Sequence, residues 1–406
     1  MPHASAPMDD VGRTAIVLPP THGDWSVAAA RVGGVSLLRR ILVSAQRAGV
    51  RTLIICAGDA APRLQALVGE RLSESRIEWV DTEPAAVSKA VGGNGIPPCF
   101  FIRASTVLNP PLLTELRAAY HPGAPFVVPA GQGSDAPVAL GSPAVPTGRL
   151  QPPVQVPLSG AAVCLDLANT TSEGAAAALY RALGKPTDSW LIRRSRRLLF
   201  PIMRALVDTR VTPNQLTLAG FFIGLGAIAC LWQDDYAWTV VGGMLFVLAY
   251  LTDLLDGMLA RLRLQESRWG GVMDYVLDNL VHVGIFAAIV RAAYLRRPEP
   301  SVLIVGALLV VGAATAAGIV GAHMIRRRPV NRLLAQLMHR DFALIVLLAA
   351  LVDRLEWFLW AAAIGINLFW PSVLALLIRD RRAERQEHPE TAAHLAPRPV
   401  SADREA

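Results

Sequence analysis

The first 185 residues alternate short apolar runs with amphipathic stretches, whereas from residue 211 long apolar runs follow one another, broken by arginine-rich joints. In the first part, Ala15–Leu18, Thr52–Cys56, residues 99–103 and residues 126–129 are apolar runs of strand length. Between the first two, Val35 to Ala48 repeats its apolar residues at helical spacing and stops at Gly49. Pro110-Pro111 opens a second helix running toward Tyr120. Strands alternating with helices predict an α/β domain with a mostly parallel sheet over residues 13–185. Residues 130–160, rich in Gly, Pro and Ser, predict a loop or insertion. A helix from Ser172 to Leu183 then leads into a linker at Gly184-Lys185-Pro186. The ends, 1–12 and 381–406, are polar and predict disorder.

Residues 186–210 form the joint between the two halves. From Trp190 to Leu206 the chain mixes Arg193, Arg194, Arg196 and Arg197 with Leu191, Leu198, Leu199, Phe200 and Ile202. That is the pattern of an amphipathic helix lying in a membrane interface, with Trp190 at headgroup depth. Over 211–380 six spans of membrane-crossing length follow, at about 213–232, 237–260, 271–293, 301–325, 338–353 and 357–378. The fold class is therefore a cytosolic α/β domain followed by an all-α, six-helix transmembrane domain.

Composition agrees: 53% of the 406 residues are hydrophobic, with a mean hydropathy of +0.39. No cleavable signal peptide is expected, which leaves the N-terminal half in the cytosol. The net charge of +7 is almost all arginine, Lys89 and Lys185 being the two lysines. These arginines flank apolar helices, which points to anionic lipid headgroups and topology control rather than nucleic acid. Arginine-rich segments 190–210, 261–268, 326–332 and 379–385 fall on one side, placing both termini in the cytoplasm of a prokaryotic cell. Arg291, Arg296 and Arg297 stand against that count. Cys56, Cys99, Cys164 and Cys230 have no metal-ligand spacing and read as small buried hydrophobes.

The chemistry lies between Asp253 and Asp278, where the chain reads Asp253-x2-Asp256-Gly257-x2-Ala260-Arg261-x8-Gly270-x3-Asp274-x3-Asp278. A carboxylate at a membrane helix centre costs roughly 2.5–3.5 kcal/mol, so four idle ones would cost about 10 kcal/mol. Spacings of three and four put each pair on one helix face, and the short connection predicts antiparallel helices with all four carboxylates converging. Two Mg²⁺ or Mn²⁺ ions would relieve the repulsion and create a pyrophosphate site. Gly257 and Gly270 leave room for a nucleotide, Arg261 offers a planar cation to phosphate, and Asp278 is placed to take a proton. Helix caps or proton-relay groups are the plainer alternative. At ordinary residue frequencies, however, eight such positions coincide in fewer than about one in a million chains.

The run resembles the CDP-alcohol phosphotransferase signature at every position. The resemblance implies six helices, divalent metal, and displacement of CMP from a CDP-linked donor by an alcohol. By the same likeness Asp253, Asp256 and Asp274 are metal ligands, and Asp278 is both ligand and general base. Gly257, Ala260, Arg261 and Gly270, with Asp256, wall the cytidine-diphosphate pocket. Pro213-Asn214-x2-Thr217 resembles a further family element at the start of the first span, although a plain helix start also accounts for it. At Arg340-Asp341 acceptor binding and a plain ion pair both stay open. Ala314, Gly318 and Ala322 share a face, open to packing within the chain or to the homodimer the resemblance implies.

Residues 1–130 resemble nucleotidyltransferases through Ala15-Ile16-Val17-Leu18, the run Val32 to Leu38 and the run Ala48 to Ile55. The layout is similar to archaeal inositol-phosphate cytidylyltransferase and di-inositol-phosphate-phosphate synthase fusions. A triphosphate loop needs glycines and cations, yet residues 19–25 hold one glycine and no Lys or Arg. The stretch at Arg103-Ala104-Ser105 also lacks a metal-holding aspartate. The domain therefore reads as catalytically inactive, with Asp24 and His22 the candidates if it acts. The function read is transfer of a substituted phosphate from a donor of CDP-diacylglycerol or CDP-inositol type to an alcohol, favouring a polyol phosphate. A bifunctional cytidylyltransferase and, outside enzymes, a cation transporter or pseudoenzyme scaffold are the alternatives.

Overall fold

The computed structural model describes residues 10–68, 74–81, 97–122, 124, 126–132, 136–142, 152–184, 188–233, 235–325 and 342–387. Contacts divide the chain into two units. The first holds the described residues of Met1–Pro186 with Arg197–Pro213 and Gly257–Glu266, and the second holds the remainder.

The first unit is built on a seven-stranded sheet. Its strands are β1 (Thr14–Leu18), β4 (Thr52–Cys56), β5 (Arg76–Val80), β6 (Cys99–Arg103), β8 (Phe126–Pro129), β9 (Val138–Gly141) and β10 (Val154–Val156), in the order β10-β8-β9-β6-β1-β4-β5. Central β1 pairs in parallel with β4 and β6, β4 with β5, and β10 with β8. Only β9 runs antiparallel, to β6 and β8. Ala15, Ile16 and Val17 are fully buried, as a strand covered on both faces requires. Two ladders complete the unit: β2 (Arg31–Val32) with β3 (Val35–Ser36), and β7 (Thr106–Leu108) with β11 (Cys164–Asp166).

Helix α1 (Leu37–Arg47) buries Leu37, Leu38, Ile41, Leu42 and Ala45 and ends before Gly49, whose φ of 87° no β-carbon tolerates cheaply. Helix α2 is Ala61–Val68. The prolines start α3 (Pro110–Ala119), and the Thr171 hydroxyl caps α4 (Ser172–Ala182). Residues 130–160, expected as a loop or insertion, contain β9 and β10.

Helix α5 (Trp190–Leu206) has the expected bounds. Trp190, Leu198 and Ile202, four or eight residues apart, are exposed at 71%, 65% and 47%, while Leu199 and Met203 are buried. An exposed apolar stripe beside arginines suits an interfacial helix.

The second unit is helical. Its elements are α6 (Pro213–Leu231), α7 (Tyr236–Leu262, up to Asp256 in this unit), α8 (Arg268–Arg296), α9 (Pro300–Ile325), α10 (Ala343–Leu351) and α11 (Leu355–Glu387). Five of these helices are long and apolar enough to cross a membrane. The expected fifth span begins outside the described residues, as do Arg340 and Asp341, and its described part is the nine-residue α10. Helix α11 runs to Glu387, into the stretch expected to be disordered. Residues 10–12, expected to be disordered, are described too, with Val11 buried.

Ala227, Phe246, Val281, Ile285, Ile289, Val346 and Leu359 form the helical core. A β-carbon on Gly224 would lie 2.7 Å from both Val281 methyl carbons, so α6 and α8 meet through a missing side chain. Gly306 and Gly312 are likewise committed inside the chain, against Val290 and Ile366. Ala314, Gly318 and Ala322 are exposed.

The three arginines that opposed the charge count have partners. Arg291 donates to the Trp232 carbonyl at 2.6 Å, Arg296 pairs with Asp353 at 2.5 Å, and Arg297 lies 4.0 Å from Glu356.

Candidate active site

Asp253 and Asp256 lie one turn apart on α7, and Asp274 lies in the second turn of α8. Helix α8 starts where it does because the Ser267 hydroxyl accepts the Gly270 amide at 3.0 Å. One carboxylate oxygen from each of Asp253, Asp256 and Asp274 falls within 4.8 Å of the others. Asp278, one turn further along α8, stands outside this set, although its charge acts on Asp253 together with those of Asp256 and Asp274. Sequence spacing thus brings three of the four expected ligands into one group.

Asp256 is the buried member, 5% exposed, and the Thr217 hydroxyl donates to its Oδ2 at 2.5 Å. Asn214 stands beside the first turn of α8: a β-carbon on Gly270 would lie 3.3 Å from its Oδ1 and 2.9 Å from Ser267 Oγ. Of the three residues at the start of α6, Thr217 thus bonds a motif carboxylate and Asn214 lies next to Gly270.

Gly257, Ala260 and Arg261 continue α7 within the first unit. The Arg261 guanidinium folds back along the helix, 3.4 Å from where a Gly257 β-carbon would sit. Such a donor set is all carboxylate oxygen, the chemistry of a hard divalent cation, and its clustered charge fits a metal.

The family model for CDP-alcohol phosphatidyltransferase matches residues 210–376. The chain carries a CDP-alcohol phosphatidyltransferase domain. It is 34% identical over 123 residues to a bifunctional IPC transferase and DIPP synthase of Thermococcus kodakarensis, covering 30% of this chain and 27% of the relative. A protein of the same description from Archaeoglobus fulgidus is 25% identical over 203 residues, 47% of this chain and 39% of that one. A phosphatidylinositol phosphate synthase of Cutibacterium acnes is 36% identical over 124 residues, 29% of this chain and 57% of that one. The chain thus spans between about a quarter and three fifths of the length of these relatives.

The transferase domain also holds a cavity of about 420 Å³ that sequence reasoning missed, lined by Asn279, His282, Phe286, Phe342 and Phe358 among others. Asn279 and His282 were legible as polar residues inside an apolar span directly after the motif.

Ahead of the transferase domain, the loop after β1 is occupied locally. Asp24 caps the short helix Trp25–Ala29, accepting from the Ser26 amide at 2.9 Å and its hydroxyl at 2.6 Å. His22 is exposed. Asp166, which the sequence reading passed over, accepts from the Thr21 hydroxyl at 3.1 Å.

Proposed function

We propose that the chain is an integral-membrane CDP-alcohol phosphotransferase that moves a phosphatidyl group from CDP-diacylglycerol to a polyol phosphate, releasing CMP. The observation that carries this is the convergence of Asp253, Asp256 and Asp274 on adjoining helices of the transferase domain. The names of the bacterial relatives favour inositol phosphate as acceptor. A largely apolar cavity, large enough for part of an acyl chain, supports a lipid donor over a soluble one.

In this reading Asp253, Asp256 and Asp274, with Asp278 beside them, would hold two Mg²⁺ or Mn²⁺ ions. Bound there, divalent ions would offset the carboxylate charge and supply electrostatic stabilisation to the donor pyrophosphate. Thr217 keeps Asp256 Oδ2 oriented by donating to it. Arg261 binds a phosphate oxygen of the donor, and Gly257 and Gly270 let the nucleotide approach the helices. Asp278 accepts the proton of the acceptor hydroxyl as it attacks the β-phosphorus. Pro213 and Asn214 complete the pocket wall at the start of α6.

The active site faces the cytoplasm, as do both termini. Arginines of α5 and of the segment between α7 and α8 support this, while Arg291 and Arg296 at the other helix ends are engaged by a carbonyl and a carboxylate. A homodimer through the exposed small residues of α9 fits the same scheme. Nucleotidyl transfer by the N-terminal domain is disfavoured, because Asp24 is committed to a helix cap.

The test is CMP release by purified protein with Mg²⁺ and either CDP-diacylglycerol or CDP-inositol, against a panel of inositol phosphate, glycerol phosphate and free polyols. Release with a phosphorylated polyol alone supports the reading. Release only from CDP-inositol would replace the donor, and none from either donor would refute the activity.

A further inference from the structure

The first unit contains, besides its sheet, the last turn of α7 and the segment that follows it, Gly257–Glu266. Three arginines of this unit are spent on that turn and its flanks. Arg40 of α1 is 1% exposed, and the hydrogen-bond acceptors around its guanidinium are main-chain carbonyls. Nη2 donates to the Leu262 carbonyl at 2.7 Å and to Val32 at 2.8 Å, and Nε donates to Val32 at 3.2 Å. Arg47, two turns along α1, donates to the Leu264 carbonyl at 2.9 Å and pairs with Glu266. Arg263 gathers the carbonyls of Leu206, Val207, Thr209 and Val211 at 2.5–3.0 Å.

The backbone here is held where it would not rest alone. Leu264 has φ of 56°, a left-handed conformation that is strained for a residue with a branched side chain. Its amide bonds the Arg261 carbonyl at 3.2 Å, and the Gln265 amide bonds Ala260 at 2.8 Å, closing the helix. Gly33 and Gly34, both at positive φ, turn between β2 and β3 tightly against the same segment. A β-carbon on Gly33 would lie 2.9 Å from Arg40 Nη2 and 3.0 Å from a Leu262 methyl, and one on Gly34 would strike the Val207 carbonyl.

We propose that the α/β domain serves as a clamp on the nucleotide-binding turn of α7, with Arg40 as the positioning residue that fixes Ala260 and Arg261. A buried cation facing helix-end carbonyls matches the negative end of the helix dipole. Burying a charge is a poor way to gain stability, and geometric specificity is its best-attested use. Burial, with Arg47 nearby, lowers the Arg40 guanidinium to about 10, so it stays charged at neutral pH. The clamp gives the N-terminal domain a role that needs no nucleotide chemistry of its own. The inference rests on the transferase reading for what Arg261 does, but the grip itself is independent of it.

The experiment compares wild type with Arg40→Met, Arg40→Lys and the half-exposed Arg47→Gln in the full chain in lipid nanodiscs. Two readouts are taken: steady-state kinetics and hydrogen exchange of residues 257–266. For Arg40→Met we expect kcat to fall about tenfold and KM for the CDP-linked donor to rise severalfold, with acceptor KM unchanged. Arg40→Lys should recover part of the loss. Exchange in 257–266 should rise at least tenfold while that of α6 stays as in wild type. Wild-type kinetics and wild-type exchange in a folded Arg40→Met variant overturn the clamp. If that variant does not fold, Arg47→Gln decides by the same measures. Raised exchange in a protein whose wild type releases no CMP would keep the clamp and refute the transferase reading.

Discussion

The Thr217 hydroxyl donates a 2.5 Å hydrogen bond to Oδ2 of Asp256, joining the start of α6 to the buried carboxylate of α7. If Asp256 is a metal ligand, this bond would fix the orientation of its carboxylate and partly balance its charge. Replacing Thr217 with Val keeps the shape and removes the donor. Metal affinity or kcat should fall by about 10- to 100-fold, read from CMP release against Mg²⁺ concentration. Thr217→Ser should restore most of it.

Asp278 lies outside the group of three carboxylates. If it is the base, Asp278→Asn should lower kcat by about 10²–10⁴-fold while the Mg²⁺ concentration for half-activity moves only severalfold. Asp274→Asn, which removes a member of the group, should shift the Mg²⁺ dependence strongly as well. Titration of both variants with Mg²⁺ separates the two roles.

Helices α6 and α8 approach through Gly224, where a β-carbon would lie 2.7 Å from two Val281 carbons. Gly224→Ala should destabilise the membrane domain by about 1–3 kcal/mol through overpacking. Gly365→Ala, with open space at the same test, should leave the unfolding temperature in detergent within a degree or two.

Burial raises three thiols of the α/β domain: Cys56 to about 11, Cys99 to about 12 and Cys164 to about 12, from 9.0. Each keeps its proton longer folded than unfolded, so its contribution to stability is complete below pH 9 and lost as pH rises above it. Thermal unfolding followed from pH 8 to 10 should show the midpoint dropping above pH 9. The triple Cys→Ala variant should show a flatter profile.

Long regular elements were legible in the sequence because their pattern repeats many times. Trp190–Leu206 has the bounds read from the chain, and the first four apolar helices agree within about three residues, whereas α11 runs nine residues beyond the span read for it. Short elements were legible where their residues are uniformly apolar, as at Thr52–Cys56 and Phe126–Pro129, but β9 and β10 lie inside a Gly-, Pro- and Ser-rich segment read as a loop or insertion. The three-carboxylate group followed from spacing alone, but the Thr217 bond to Asp256 spans 39 residues and needed the packing of two helices. The use of Arg40 was illegible for a similar reason. Arg39 and Arg40 are adjacent and chemically identical in the sequence, and only the packing of α1 leaves one half-buried and the other 1% exposed.

The most direct measurement is Mg²⁺-dependent CMP release from CDP-diacylglycerol and inositol phosphate by wild type and by Asp256→Asn, both reconstituted and verified as folded. The account predicts release by wild type that stops when EDTA is added, returns with Mg²⁺, and is lost in the variant. Release that persists in EDTA, or that survives Asp256→Asn unchanged, would contradict it.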